Sequence, residues 1–143
     1  MISQRAKYAL KALMALVEAP AGASLMIAEI SRRKAIPRKF LEQILLELKR
    51  AGIVDSRRGR LGGYVLARAP DKVTFGEVLR LIDGPVALLP CLSKIAYRRC
   101  TDCAEESRCE IRHVFARVAV ATRDVLDTTT LADALKVPAD VVA

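Results

Sequence analysis

The stretch Arg57-Arg58-Gly59-Arg60-Leu61-Gly62-Gly63 sits between two short β-prone runs, Ile53-Val54-Asp55-Ser56 and Tyr64-Val65-Leu66-Ala67. Few folds accommodate such a segment. Its glycines permit a tight hairpin with positive φ, and its arginines crowd the tip. Three helical patterns precede it. Ser3 can cap the first, in which Tyr8, Leu10, Leu13, Met14, Leu16 and Val17 recur at helical spacing until Pro20-Ala21-Gly22 ends it. Ser24 then precedes Leu25, Ala28, Glu29 and Ile30, a second helix of about ten residues with the basic end Arg32-Arg33-Lys34. After a tight turn at Ala35-Ile36, Pro37 stands at a first helical position. Phe40, Leu41, Ile44, Leu45 and Leu48 form the apolar face of a third helix, and Gly52 marks its end. Arg38, Lys39, Glu42, Gln43, Glu47 and Lys49 occupy the opposite face. Three short helices followed by a basic hairpin are the plan of a winged helix-turn-helix domain.

Composition agrees with a helical chain. Of 143 residues, 52% are hydrophobic but only 4% aromatic, with no Trp; Ala, Leu, Val and Ile supply the apolar content, which excludes disorder and disfavours a β-sandwich or barrel. No apolar run is long enough to cross a membrane, and the N-terminus lacks the blocks of a signal peptide. The expected compartment is therefore the cytoplasm. The net charge of +8 is unevenly divided. Residues 1–68 hold fourteen Lys/Arg against five Asp/Glu, whereas residues 69–143 hold ten against eleven. The excess of positive charge points to a nucleic-acid-facing N-terminal module, and the cysteines and sole histidine belong to a differently employed second half. The expected division is 1–70 for DNA binding and 71–143 for sensing and dimerisation.

In that second half, Thr74 and Glu77 frame the start of a fourth helix through Val78, Leu79, Leu81 and Ile82, stopped by Gly84-Pro85. From Val86 to Arg108 the pattern loses its period. Then Ile111, Val114, Phe115, Val118, Ala119, Thr122, Val125 and Leu126 recur at three- and four-residue spacing. They define a helix of about 18 residues, roughly 27 Å long. So long an apolar stripe in so small a chain is expected to pack on a second copy; the plainer alternative is packing on its own winged helix.

Two constellations carry chemistry. Arg38, Lys39, Glu42 and Gln43 lie at the start of the third helix, where Arg or Lys can donate to guanine, Gln can pair with adenine and Glu can accept from cytosine N4. Arg57, Arg58 and Arg60 suit phosphates or a narrow minor groove. Further on, Cys91, Cys100, Cys103 and Cys109 fall within nineteen residues with the spacing C-x8-C-x2-C-x5-C. In a reducing compartment such thiols are metal ligands or redox groups rather than structural disulfides. An iron–sulfur cluster (2Fe–2S or 4Fe–4S), a tetrahedral zinc ion and a metal-free thiol switch all remain open. Arg98, Arg99, Arg108 and Arg112 are expected to lower the thiol pKa values. Cys100-Thr101-Asp102-Cys103 is also the unit of a thiol–disulfide enzyme, but no parallel-strand pattern precedes it. With no Ser–His–Asp set, no paired-carboxylate signature and no phosphate loop, an enzyme is not expected.

The combination Phe40-Leu41-Glu42-Gln43-Ile44-Leu45, Leu48, Ala51-Gly52-Ile53-Val54, Ser56-Arg57-Arg58-Gly59 and Gly62-Gly63-Tyr64-Val65-Leu66-Ala67 resembles the Rrf family of bacterial regulators, of the IscR, NsrR and RirA kind. Tyr8-Ala9-Leu10, Phe75-Gly76-Glu77-Val78 and Thr129-Thr130-Leu131-Ala132-Asp133 extend the likeness over nearly the whole chain. The resemblance implies a homodimeric transcription factor on a pseudopalindromic double-stranded operator, with the third helix in the major groove and the wing in the minor groove. It further implies three loop cysteines as cluster ligands, matched by Cys91, Cys103 and Cys109, with a fourth ligand from elsewhere. Cys100 is additional and can complete a four-cysteine site. His113 lies one residue beyond the place of the family's ligand histidine, and Pro37 replaces a capping serine.

Overall fold

The computed structural model describes residues 2–141; Met1, Val142 and Ala143 lie outside them. Helix α1 (Gln4–Glu18) begins where Ser3 Oγ accepts a hydrogen bond from the Ala6 amide at 3.0 Å. Ala6, Ala9, Ala12 and Ala15 are buried along it with Leu13 and Leu16. That lining of small side chains lets α1 serve as the central post of the fold. Helices α2 (Ile27–Lys34), α3 (Arg38–Arg50), α4 (Phe75–Asp83) and α6 (Leu131–Ala134) all pack against it. Leu41, Ile44, Leu45 and Leu48 of α3 are fully buried, joined by Ile30, Ile36, Ile53 and Val54.

The sharp turn between α2 and α3 uses Ala35 in the left-handed region, φ 51°. Ser31 Oγ, donating to the Ile36 carbonyl at 2.6 Å, ties the turn back to α2. Pro37 precedes α3 as its N-cap rather than occupying the first helical position, and its carbonyl accepts from Phe40 and Leu41 at 3.1 and 3.2 Å. The second helix is shorter than its sequence pattern implies. Ser24–Met26 is extended instead, because Leu25 exchanges both backbone hydrogen bonds with Tyr64, at 3.0 and 2.7 Å. A bridge to a segment forty residues away outcompetes the local capping serine.

Strands β1 (Val54–Arg57) and β2 (Gly63–Leu66) are antiparallel, with Val54 opposite Leu66 and Arg57 opposite Gly63. At Gly63 φ is 136°, and a Cβ there would run into the Leu25 backbone, so the bridge to Leu25 requires glycine.

Past a 3-10 turn at Pro70–Lys72, Thr74 Oγ1 accepts from the Glu77 amide at 3.2 Å and starts α4. Glu77 does not reach back to complete a box. Its carboxylate takes Arg68 Nη1 at 2.5 Å instead. Helix α5 (Glu110–Thr128) runs 19 residues and is followed by α6, which opens with a reciprocal capping box between Thr130 and Asp133. Thr74 bridges Thr130, the Phe75 amide donates to the Thr129 carbonyl at 3.0 Å, and Leu131 is fully buried beside Val73 and Val78. The chain after α5 thus returns to seal the N-terminal core. On α5 only Ala119 is buried; Ile111, Val114, Val118 and Val125 are exposed within the single chain.

Candidate DNA interface and cysteine pocket

The exposed face of α3 forms because the helix buries one stripe and leaves the other bare. Arg38, Lys39, Glu42 and Gln43 are all exposed. Arg38 Nε lies 3.4 Å from Glu42 Oε1, one helical turn away, so the acid screens part of a basic surface in the unbound protein. Phe40, expected on the buried face, is 53% exposed and rests its ring on Tyr8 with centroids 6.2 Å apart. The first turn of α3 extends past the core, where Tyr8 meets it. Arg58 and Arg60 are exposed at the wing tip. Arg57, also exposed, donates from Nη1 to the Gly22 carbonyl at 2.8 Å, which ties the wing to the α1–α2 loop. Arg38, Ser56, Arg57 and Gly59 line a shared groove of about 290 Å³ between the wing and the start of α2, which Arg38 of α3 also reaches.

The second site is built from the segment that joins α4 to α5 and from the first turn of α5. Cys91, Cys100, Cys103 and Cys109 all line one pocket of about 510 Å³, with Asp102, Glu106, Arg108 and Arg112 in its wall. Cys91 is buried on the turn Pro90–Leu92, Cys100 is exposed, and Cys103 and Cys109 are half-buried. All four are free thiols. Cys109 is the N-cap of α5, its Sγ accepting from the Arg112 amide at 3.4 Å. Among the described residues no three His, Cys, Asp or Glu side chains converge at ligating distance, so the sulfurs share a pocket without meeting at one point.

At Cys100 the arginines do not lower the thiol as the sequence leads one to expect. Arg99 Nη2 donates to the Cys103 and Ala104 carbonyls at 3.1 and 2.9 Å, and Arg108 pairs with Glu105 at 3.1 Å. The Cys100 thiol is pushed up. Desolvation is the main cause, followed by negative charge at Cys91, Asp102 and Cys103 and a hydrogen bond with Cys91. Arg112 Nε alone stands out, buried with no hydrogen-bond partner and 3.9 Å from Glu106 Oε2. His113 is exposed on α5 and does not line the pocket. Sequence reasoning missed Ser24, whose hydroxyl holds the wing tip (Oγ to Leu61 O, 2.5 Å). Its position ahead of an apolar run reads equally well as a helix cap.

Three helices, a two-stranded wing and an exposed basic face on α3 define a winged helix-turn-helix DNA-binding protein. A family model described as Rrf2, iron-dependent transcriptional regulator, matches residues 2–136. The chain belongs to this family and is a transcriptional regulator rather than an enzyme. A Rhodobacter capsulatus protein named as an rrf2-like HTH-type transcriptional regulator is 50% identical over 138 residues, covering 94% of this chain and 92% of the relative. Among solved structures, CymR, the global cysteine regulator of B. subtilis, superimposes with a TM-score of 0.78 at 30% identity over 93% of this chain and 94% of that one. T. potens IscR gives 0.73 at 26% identity over 95% and 86%. No helix among the described residues is long and apolar enough to cross a membrane.

Proposed function

We propose that this regulator acts in the cytoplasm as a homodimer on double-stranded operator DNA, and that its cysteine pocket holds an iron–sulfur cluster, 2Fe–2S or 4Fe–4S. In this reading residues 1–70 bind DNA and residues 71–143 sense and dimerise. Arg38, Lys39, Glu42 and Gln43 contact bases; Arg57, Arg58 and Arg60 engage phosphates and the minor groove. The exposed Ile111, Val114, Val118 and Val125 on α5 supply the dimer face. Each such side chain is worth about 1.5–3 kcal/mol if covered fully.

The observation that carries the cluster assignment is the gathering of Cys91, Cys100, Cys103 and Cys109 in one pocket beside Arg112 Nε, which is buried without a hydrogen-bond partner. The donor set is all sulfur, which suits iron–sulfur chemistry. The guanidinium N–H is the hydrogen-bond donor that an anionic thiolate-bound group wants nearby. Cys109, as N-cap of α5, links whatever occupies the pocket to the start of the dimer helix. A bound cluster contributes redox, iron and nitric-oxide sensitivity. The protein converts occupancy into a change at α5 only to the extent that two dimer arrangements bind the group differently.

A metal-free thiol switch is the second reading, favoured by Cys91 and Cys100 lining one pocket as free thiols; zinc would use the same four sulfurs. The test is selection of duplexes from a randomised pool by anaerobically loaded protein, then by protein stripped of iron. Different affinities of the two forms for the selected duplex support cluster control. Equal affinities leave a DNA-binding protein whose pocket does another task.

A further inference from the structure

Leu61, at the tip of the wing, is 88% exposed, more than any other large hydrophobic residue among those described. A solitary exposed leucine is ordinary on a protein surface. This one is held in place. The Gly62 amide donates to the Gly59 carbonyl at 2.9 Å and closes the tip. A Cβ on Gly62 would lie 2.6 Å from the Arg57 carbonyl oxygen and 2.7 Å from that of Gly59, so the tip leaves no room for a side chain at position 62. Ser24 Oγ donates to the Leu61 carbonyl at 2.5 Å and lies 3.3 Å from that of Gly62. The Leu61 backbone is therefore tied to the body of the domain, while its side chain projects bare beside the exposed Arg58 and Arg60. A preordered tip loses little entropy on docking.

We propose that Leu61 is a minor-groove wedge. Resting on the DNA-binding reading above, the inference is that each wing brings its leucine between two stacked base pairs and bends the duplex. Apolar wedges of this kind partly unstack a base step, and pyrimidine–purine steps yield at least cost. The arginines grip the flanking phosphates while the leucine supplies sequence preference without a hydrogen bond. Specificity would then extend to a flexible step in each half-site that α3 never touches.

The test compares wild type with Leu61→Ala and Leu61→Met, whose folding is checked by circular dichroism because Leu61 packs on nothing. Each protein selects from a pool of randomised duplexes, and bending is read by circularly permuted fragments. Wild type should enrich a TA or CA/TG step in each half-site and bend the selected duplex. Leu61→Ala should recover the bases read by α3, lose the step preference and bend less. Its affinity for the wild-type-selected duplex should fall roughly tenfold, with an unchanged salt slope because no charge is removed. Leu61→Met should retain preference and bend. An alanine variant with the wild-type step preference and the wild-type bend overturns the wedge. Wild type selecting no sequence at all overturns the DNA-binding reading instead.

Discussion

Replacing Glu42 with alanine separates base reading from phosphate attraction. In the unbound protein Glu42 Oε1 faces Arg38 Nε at 3.4 Å, with both side chains more than half exposed. An exposed pair of that kind contributes about 0.3–0.5 kcal/mol to folding, so Glu42→Ala should leave the fold intact. Its effect on DNA has two opposed parts. Loss of the carboxylate removes an acceptor for cytosine N4, worth about 1–3 kcal/mol per contact, or roughly 5- to 150-fold in discrimination per half-site. Loss of the same charge frees Arg38 for a phosphate, which steepens the dependence of log K on log salt by about 0.9 per protomer. The variant should thus bind unrelated duplexes as well as wild type or better, and prefer the selected operator less. Fluorescence anisotropy on the selected duplex, on copies altered at single C·G pairs and on unrelated duplex, each at several salt concentrations, measures both parts. A uniform loss on every duplex with an unchanged salt slope would refute the assignment of Glu42 as a base reader.

Other perturbations test different links. Arg58→Ala should flatten the salt slope by about 0.9 per protomer with folding unchanged. Arg57→Ala should also loosen the wing, because it removes the bond to the Gly22 carbonyl; proteolysis within residues 57–63 would report the difference. Leu131→Ala should destabilise the chain by about 2–5 kcal/mol in urea unfolding, since Leu131 is fully buried; a change under 1 kcal/mol would show that α6 does not close the core. Asp133 is held below its ordinary pKa by the Thr130 amide and hydroxyl. Its stabilising effect is present above the unfolded value and is lost as pH falls through the lowered one. Asp133→Asn should therefore flatten the acid limb of the stability profile, and an unchanged limb would remove Asp133 from that account.

Much of the N-terminal half was legible in the sequence because each element there carries a local signal. Ser3 marks a helix start, the Leu41–Leu48 stripe marks a buried face, and the glycines around Arg60 mark a hairpin. Long-range pairing was not legible. Ser24 stands where a cap would, but Leu25 beside it bridges Tyr64 and keeps the segment extended, and Glu77 reads as a box partner but is drawn off by Arg68. Phe40 keeps the spacing of its stripe, yet the core ends before reaching it. Thr129–Asp133 carried a family likeness without a structural reason. The reason is their return to α4, where Thr130 bridges Thr74 and Leu131 fills the core. In the cysteine segment the spacing brought out the sulfurs, whereas their surroundings depend on where arginines find carbonyls and carboxylates. No periodicity records that.

The most direct test of the account is an absorbance spectrum of anaerobically purified protein, with iron, acid-labile sulfide and zinc assayed on the same sample. The account predicts a brown protein with visible absorption and matched iron and sulfide, lost when Cys91, Cys103 or Cys109 is replaced by alanine. A colourless protein without iron or sulfide, after cluster reconstitution under the same conditions, would contradict it.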